Sequence, residues 1–175
     1  MAKWNVDVSH TNVGFQVKHM MVSKVRGNFT DFSGTIEGNP EDLATAKVDF
    51  EVKLDSINTS NENRDNHLRS ADFFEVEKYP KMTFTSTDIK EKGNNEYDLV
   101  GDLTIKGVTK EVSFDTVFEG KGVYPNGNEV VGFTANGKID RKEFGLTWNQ
   151  ALETGGFVVG DNIDISIEVE ANPAK

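Results

Sequence analysis

Apolar and polar residues alternate with a period of two through most of this chain, and no other feature limits its fold as tightly. Successive side chains of a strand point to opposite faces, so this period marks strands with one buried face. The clearest run sets Val48, Phe50, Val52 and Leu54 against Lys47, Asp49, Glu51 and Lys53. Val13, Phe15, Val17 and His19 share one parity, as do Tyr97, Leu99, Gly101, Leu103 and Ile105, and again Val112, Phe114, Thr116 and Phe118. In the last run Ile163, Ile165, Ile167 and Val169 face away from Asp164, Ser166, Glu168 and Glu170. Hairpin signals punctuate these segments: Lys106-Gly107, Asn126-Gly127, and Gly160-Asp161-Asn162 ahead of the final strand. About eight antiparallel strands, each with one apolar face, predict an up-and-down barrel, because closure removes the exposed edges of so long a meander. A two-sheet sandwich is the alternative.

One segment breaks the period. "NENRDNHLRSADFF" reads as a short helix over 61–74, with Asn58, Thr59 or Ser60 as its N-cap and Glu62 in its first turn. Tyr79-Pro80 ends it, since proline drives its predecessor towards extended geometry. No composition shift divides the 175 residues, so residues 1–175 are expected to form one domain.

The chemistry visible in the residues excludes more than it suggests. A formal charge of −10 argues against nucleic acid or an anionic membrane surface as the main partner. The chain has no cysteine, hence no disulfide and no thiolate chemistry. No window approaches the roughly 20 apolar residues of a membrane span, and the N-terminus runs straight into strand-like alternation, so a cytoplasmic location is expected. The three histidines, His10, His19 and His67, lack HxH or HExxH spacing, and no metal site is expected. No GxSxG elbow and no phosphate-cradling glycine loop before a helix is present, and no catalytic residue is assigned. Arg64, Asp65, His67, Arg69 and Asp72 read as an internally paired, solvated helix face.

The inward-facing positions carry the functional reading. Phe15, Val17, Phe50, Val52, Met82, Phe84, Leu103, Phe114, Phe133 and Ile165 are apolar. An eight-stranded barrel is at the size where the interior is either filled by side chains or holds one ligand. A ligand among these residues would be greasy, gaining on the order of 0.8 kcal/mol per buried methylene. His19, on the same parity, is placed as a polar contact near a barrel end.

Taken in order, "WNVDVSHTNVGFQVKHMMVSKVRGNFTDFSGTI", "LDSINTSNENRDNHLRSADFFEVEKYPKMTFTST", "GDLTIKGVTKEVSFD", "GFTANGKIDRKEFGL" and "VGDNIDISIEVE" resemble the YceI-like family of polyisoprenoid-binding proteins over essentially the full chain. The resemblance implies an all-β, extended antiparallel eight-stranded lipocalin-like barrel with a short helix between strands, enclosing a long hydrophobic pore. It also implies a bound isoprenoid chain, such as a prenyl pyrophosphate or a quinone-type lipid, or another fatty amphiphile. On that basis Phe15, Val17, Phe50, Val52, Phe84, Leu103, Phe114 and Phe133 would line the pore, with Phe73 and Phe74 packing inside and His19 approaching its polar end; Arg64 either pairs with Asp65 to fix the helix on the barrel or joins His19 at that end. Arg64, Arg69, Lys24 and Arg26 would be the cations available to a pyrophosphate head. The expected role is non-enzymatic carriage or sequestration of lipid, with no cofactor beyond that ligand. A lipid-modifying enzyme using His67 and a self-filled structural barrel are the alternatives. Exposed strand and loop surfaces are compatible with a homodimer.

Overall fold

The computed structural model describes residues 3–20, 22–149 and 159–174. Its strands are β1 (Lys3–Val6), β2 (Asn12–His19), β3 (Ser23–Phe29), β4 (Phe32–Glu37), β5 (Lys47–Lys53), β6 (Ile57–Asn58), β7 (Lys81–Gly93), β8 (Glu96–Ile105), β9 (Val108–Val123), β10 (Glu129–Asp140) and β11 (Val159–Pro173), with one helix, α1 (Glu62–Arg69). Neighbouring strands pair antiparallel in the ring β1–β4–β5–β7–β8–β9–β10–β11, which the β1–β11 pairing shuts. The result is a closed eight-stranded barrel, not a sandwich.

Three short strands extend this ring. β2 continues the line of β1 along β11, β3 runs antiparallel beside β2 before turning into β4, and β6 continues β5 beside β3. The breaks at 7–11, 30–31 and 54–56 are bridged to neighbouring strands. Asp7 N–H donates to Glu170 O (2.7 Å), Thr30 N–H to Ser56 O (3.3 Å), and Lys53 N–H to Asp31 O (2.9 Å). Long strands can therefore bend at a corner without orphaning their backbone groups.

The turn at Lys106-Gly107 is a two-residue hairpin loop between the paired Ile105 and Val108, with φ of 53° and 76°. Both central residues are left-handed, as the turn that matches strand twist requires, and glycine takes the second position without a Cβ penalty. Gly160-Asp161-Asn162 behave otherwise. They lie within β11, between Val159 opposite His19 and Ile163 opposite Val17, as a bulge rather than a turn before the strand. At the bulge the Gly160 carbonyl accepts from Arg141 Nε (2.8 Å).

The helix is shorter than the sequence suggests. Its N-cap is Asn61, whose side chain accepts from Arg64 N–H (3.0 Å), and Ser70 ends it by turning to ψ 173° while its hydroxyl donates to His67 O (2.5 Å). Residues 70–80 follow as hydrogen-bonded turns, among them Phe74 N–H to Leu68 O (3.0 Å).

Apolar packing runs the length of the barrel. Phe84, Leu103, Ile105, Phe114, Ile139 and Phe144 form a cluster that reaches Phe73 on the α1–β7 connection. Trp4, Ile36, Leu43, Ile89, Tyr97, Val131 and Phe133 form another, farther along the same β7 and β10. Val13, Phe29, Phe32, Val52, Leu54 and Ile57 fill the wall where β2 to β6 bend.

Candidate functional site: an apolar tunnel in the barrel

The inward parity of the strands produces a cavity of about 210 Å³ whose lining spans the three clusters. Phe15, Val17, Phe50, Val52, Phe73, Phe84, Leu103, Phe114 and Phe133 line it, joined by Phe74, Met82 and Ile165. His19 and Arg64 do not. His19 is the last residue of β2, opposite Val159 and Ser23 and past the bulge in β11.

Arg64 is turned to the backbone. Its Nε donates to Thr59 Oγ1 (2.8 Å) and its Nη2 to Thr59 O (2.6 Å). Asp65, which is buried, accepts from Thr59 N–H (2.9 Å) and from the Thr59 hydroxyl (2.5 Å). Arg64 and Asp65 thus act on Thr59 from two sides and fix the start of the helix to β6. Arg69 extends the same attachment, with Nε donating to Asp55 O (2.9 Å) and Nη2 to Ile57 O (3.1 Å). His67 pairs with Asp72 (2.9 Å) and stands edge-on to Trp148, with ring centroids 4.7 Å apart. None of these four groups lines the lumen, so the charged face of α1 serves to anchor the segment that carries Phe73 and Phe74 into the tunnel.

Among the described lining residues the one ionisable side chain is Arg141, which the reading of the sequence did not single out. It is 2% exposed. Nε donates to Gly160 O, Nη1 to Leu146 O (2.6 Å) and Trp148 O (2.9 Å), and Nη2 to Val159 O (3.3 Å). Burial pushes its guanidinium below the usual arginine range, against the attraction of Asp161 and Asp140. The guanidinium fork ties the segment after β10 to the start of β11 at the end of the tunnel where Phe144 and Leu146 are buried. A parity signal was present: Val131, Phe133, Ala135, Gly137, Ile139 and Arg141 fall on one alternating face, so a charge follows five inward positions.

Outside the tunnel, Asp7, His10 and Glu170 are the one grouping of three side chains with metal-ligand spacing among the described residues. His10 Nδ1 lies 2.9 Å from Asp7 Oδ2 and 3.7 Å from Glu170 Oε2. The hydrogen bond to Asp7, then its charge and that of Glu170, raise the His10 pKa above 6.5, and the bond to His10 is the largest influence lowering that of Asp7 below 3.8. The raised histidine contributes stability that is fully present below pH 6.5 and is lost as pH rises through its folded pKa. The lowered carboxylate contributes stability that is present above pH 3.8 and is lost as pH falls through its own folded value. An NMR titration should therefore place the His10 midpoint above 6.5, and Asp7→Asn should bring it back towards that value; an unchanged midpoint in the variant would rule out this pairing.

A closed antiparallel barrel around an apolar lumen is the architecture of a barrel binding protein. Residues 4–171 match the YceI-like domain, and the chain belongs to the YceI-like family. A UPF0312 protein of Staphylococcus epidermidis is 45% identical over 171 residues, covering 97% of each chain. The crystal structure of a Campylobacter jejuni YCEI protein superposes with a TM-score of 0.76 at 40% identity, covering 97% of this chain and 96% of that one. A polyisoprenoid binding domain from Saccharophagus degradans, described as implicated in plant cell wall breakdown, shares the fold with a TM-score of 0.74 at 13% identity and covers 98% of both chains. No helix among the described residues is long and apolar enough to cross a membrane.

Proposed function

We propose that this protein binds the aliphatic chain of an isoprenoid, or of a comparable long-chain amphiphile, in the barrel tunnel and holds it without chemical change. The observation that carries this reading is the lining: apart from Arg141, whose donors are engaged by carbonyls, it offers a chain almost nothing but hydrocarbon. The polyisoprenoid-binding description of the Saccharophagus degradans domain, which has the same fold, supports the same ligand class.

Size refines the proposal. Ligand pockets commonly enclose about 300–1,000 Å³, and an apolar cavity of about 150 Å³ takes a single benzene ring. At about 210 Å³ the tunnel fits one slender chain, and a longer ligand needs the lining rings to give way. A polar head left among these side chains without partners would cost roughly 2–7 kcal/mol, so the head stays at the rim or in water. Arg64 and Arg69 are directed to the backbone of residues 55–59. Replacing both should therefore weaken prenyl pyrophosphate and prenyl alcohol alike.

Native mass spectrometry of the purified protein, followed by organic extraction, tests the proposal. A stoichiometric prenyl or fatty-chain species is the expected result. A protein that is empty as purified and refuses long-chain lipids on titration would replace the carrier reading with a barrel filled by its own side chains.

A further inference from the structure

Four phenylalanines of the tunnel lie against glycines on adjacent strands: Phe15 on Gly27, Phe50 on Gly34, Phe84 on Gly101 and Phe114 on Gly137. They fall in the pairs β2–β3, β5–β4, β7–β8 and β9–β10, so the arrangement recurs around the barrel. A Cβ on these glycines would stand 2.6 Å from Phe15 Cζ, 2.6 Å from Phe50 Cδ2, 2.5 Å from Phe84 Cζ and 2.5 Å from Phe114 Cδ1. Carbon atoms prefer about 3.5–4.0 Å, so each ring occupies space that any other residue would deny it. None of the four glycines has the left-handed φ found at Gly38, Gly107, Gly120, Gly127 and Gly145. Their own backbone angles do not require glycine; the rings do, joined at Gly101 by the Thr85 carbonyl, which would stand 2.5 Å from a Cβ.

We infer that the four glycines set the bore of the tunnel, and with it the thickness of the chain the barrel admits. The inference rests on the carrier reading above. A ring held against the wall by a missing Cβ leaves the lumen free, whereas a ring displaced from its glycine projects into it. Isoprenoid chains carry methyl branches that straight alkyl chains lack, so they need the wider bore. The glycine–ring pairs therefore select between these two lipid classes.

Gly34 is the cleanest test position. The three atoms nearest its absent Cβ are all in side chains, two on the Phe50 ring and one Cγ of Val6, whereas Gly27, Gly101 and Gly137 also crowd the carbonyls of Asn58, Thr85 and Ser113. Phe50 stacks on Phe32 with centroids 5.8 Å apart, which blocks retreat on that side. Geranylgeraniol and hexadecanol would be titrated into the wild type, Gly34→Ala and Gly34→Ala/Phe50→Leu. Gly34→Ala should weaken geranylgeraniol about tenfold or more and hexadecanol less than about threefold, and Phe50→Leu in that background should restore the branched probe. Equal losses for both probes, no loss in a folded variant, or no rescue would overturn the inference. A wild type that binds neither probe sinks the carrier reading alone. Crystal structures of wild type and variant then decide the bore: a Phe50 ring moved into the lumen upholds it, and a ring still in place over a shifted backbone refutes it. If Gly34→Ala does not fold, Gly137→Ala with Phe114→Leu as its rescue is judged by the same outcomes.

Discussion

Arg141→Leu should lower the stability of the barrel by about 3–5 kcal/mol, the range for breaking a buried hydrogen-bonded charge network. For a domain of this size that corresponds to a fall of about 6–20 °C in Tm. The leucine retains apolar bulk but leaves the carbonyls of Leu146, Trp148, Val159 and Gly160 without the donor that serves all of them. Arg141→Lys should recover only part of the loss, because an ammonium is a single point with three donors, whereas the planar guanidinium reaches carbonyls on two separate segments. Thermal and denaturant unfolding measure both variants. A loss below about 1 kcal/mol in Arg141→Leu would mean that water replaces the guanidinium and that the segment closes without it.

Val52→Trp should abolish most of the tunnel's capacity while the protein remains folded. Val52 is buried, pairs with Phe32 and Met82 on the neighbouring strands and lines the lumen, so an indole has to take its extra volume from the cavity. Overpacking of this kind costs about 1–3 kcal/mol, a Tm decrease of about 2–12 °C, and affinity for geranylgeraniol should drop about tenfold or more. Lys53→Trp, one residue along on the exposed face, is the control and should leave affinity unchanged. Full capacity in a folded Val52→Trp protein would move the binding site out of the barrel.

Alternation made the inner face of most strands legible, because a period of two records which side is buried whatever the partner. It could not show the breaks at 7–11, 30–31 and 54–56. Those are fixed by bonds to distant residues, such as Asp7 to Glu170 and Thr30 to Ser56, and local composition does not mark them. The helix end was hidden for a related reason. "RSADFF" tolerates a helix, and the Ser70 hydroxyl on the His67 carbonyl decides otherwise. Gly160-Asp161-Asn162 carried turn-forming composition, and only distant partners, β10 opposite Asn162 and the Arg141 guanidinium on the Gly160 carbonyl, reveal a strand there. Gly101 was visible as a member of an inward run, but the ring that needs it belongs to β7, and no local pattern connects the two.

The β1–β11 seam has a consequence for biosynthesis. Trp4 lies opposite Pro173, so the ring is completed by two segments far apart in the sequence, the second made long after the first. At about 5–20 residues per second a ribosome needs roughly 9–35 s for 175 residues. For most of that interval β1 and β2 lack the strand that covers their edges, β10 lacks it from its own synthesis onward, and the greasy wall of the half-made barrel faces water. Contacts so remote in sequence also form slowly once both partners exist. The vulnerable species is therefore the nascent chain rather than the finished barrel, and high-level expression should produce aggregates whose abundance follows synthesis rate more closely than the melting temperature of the native protein.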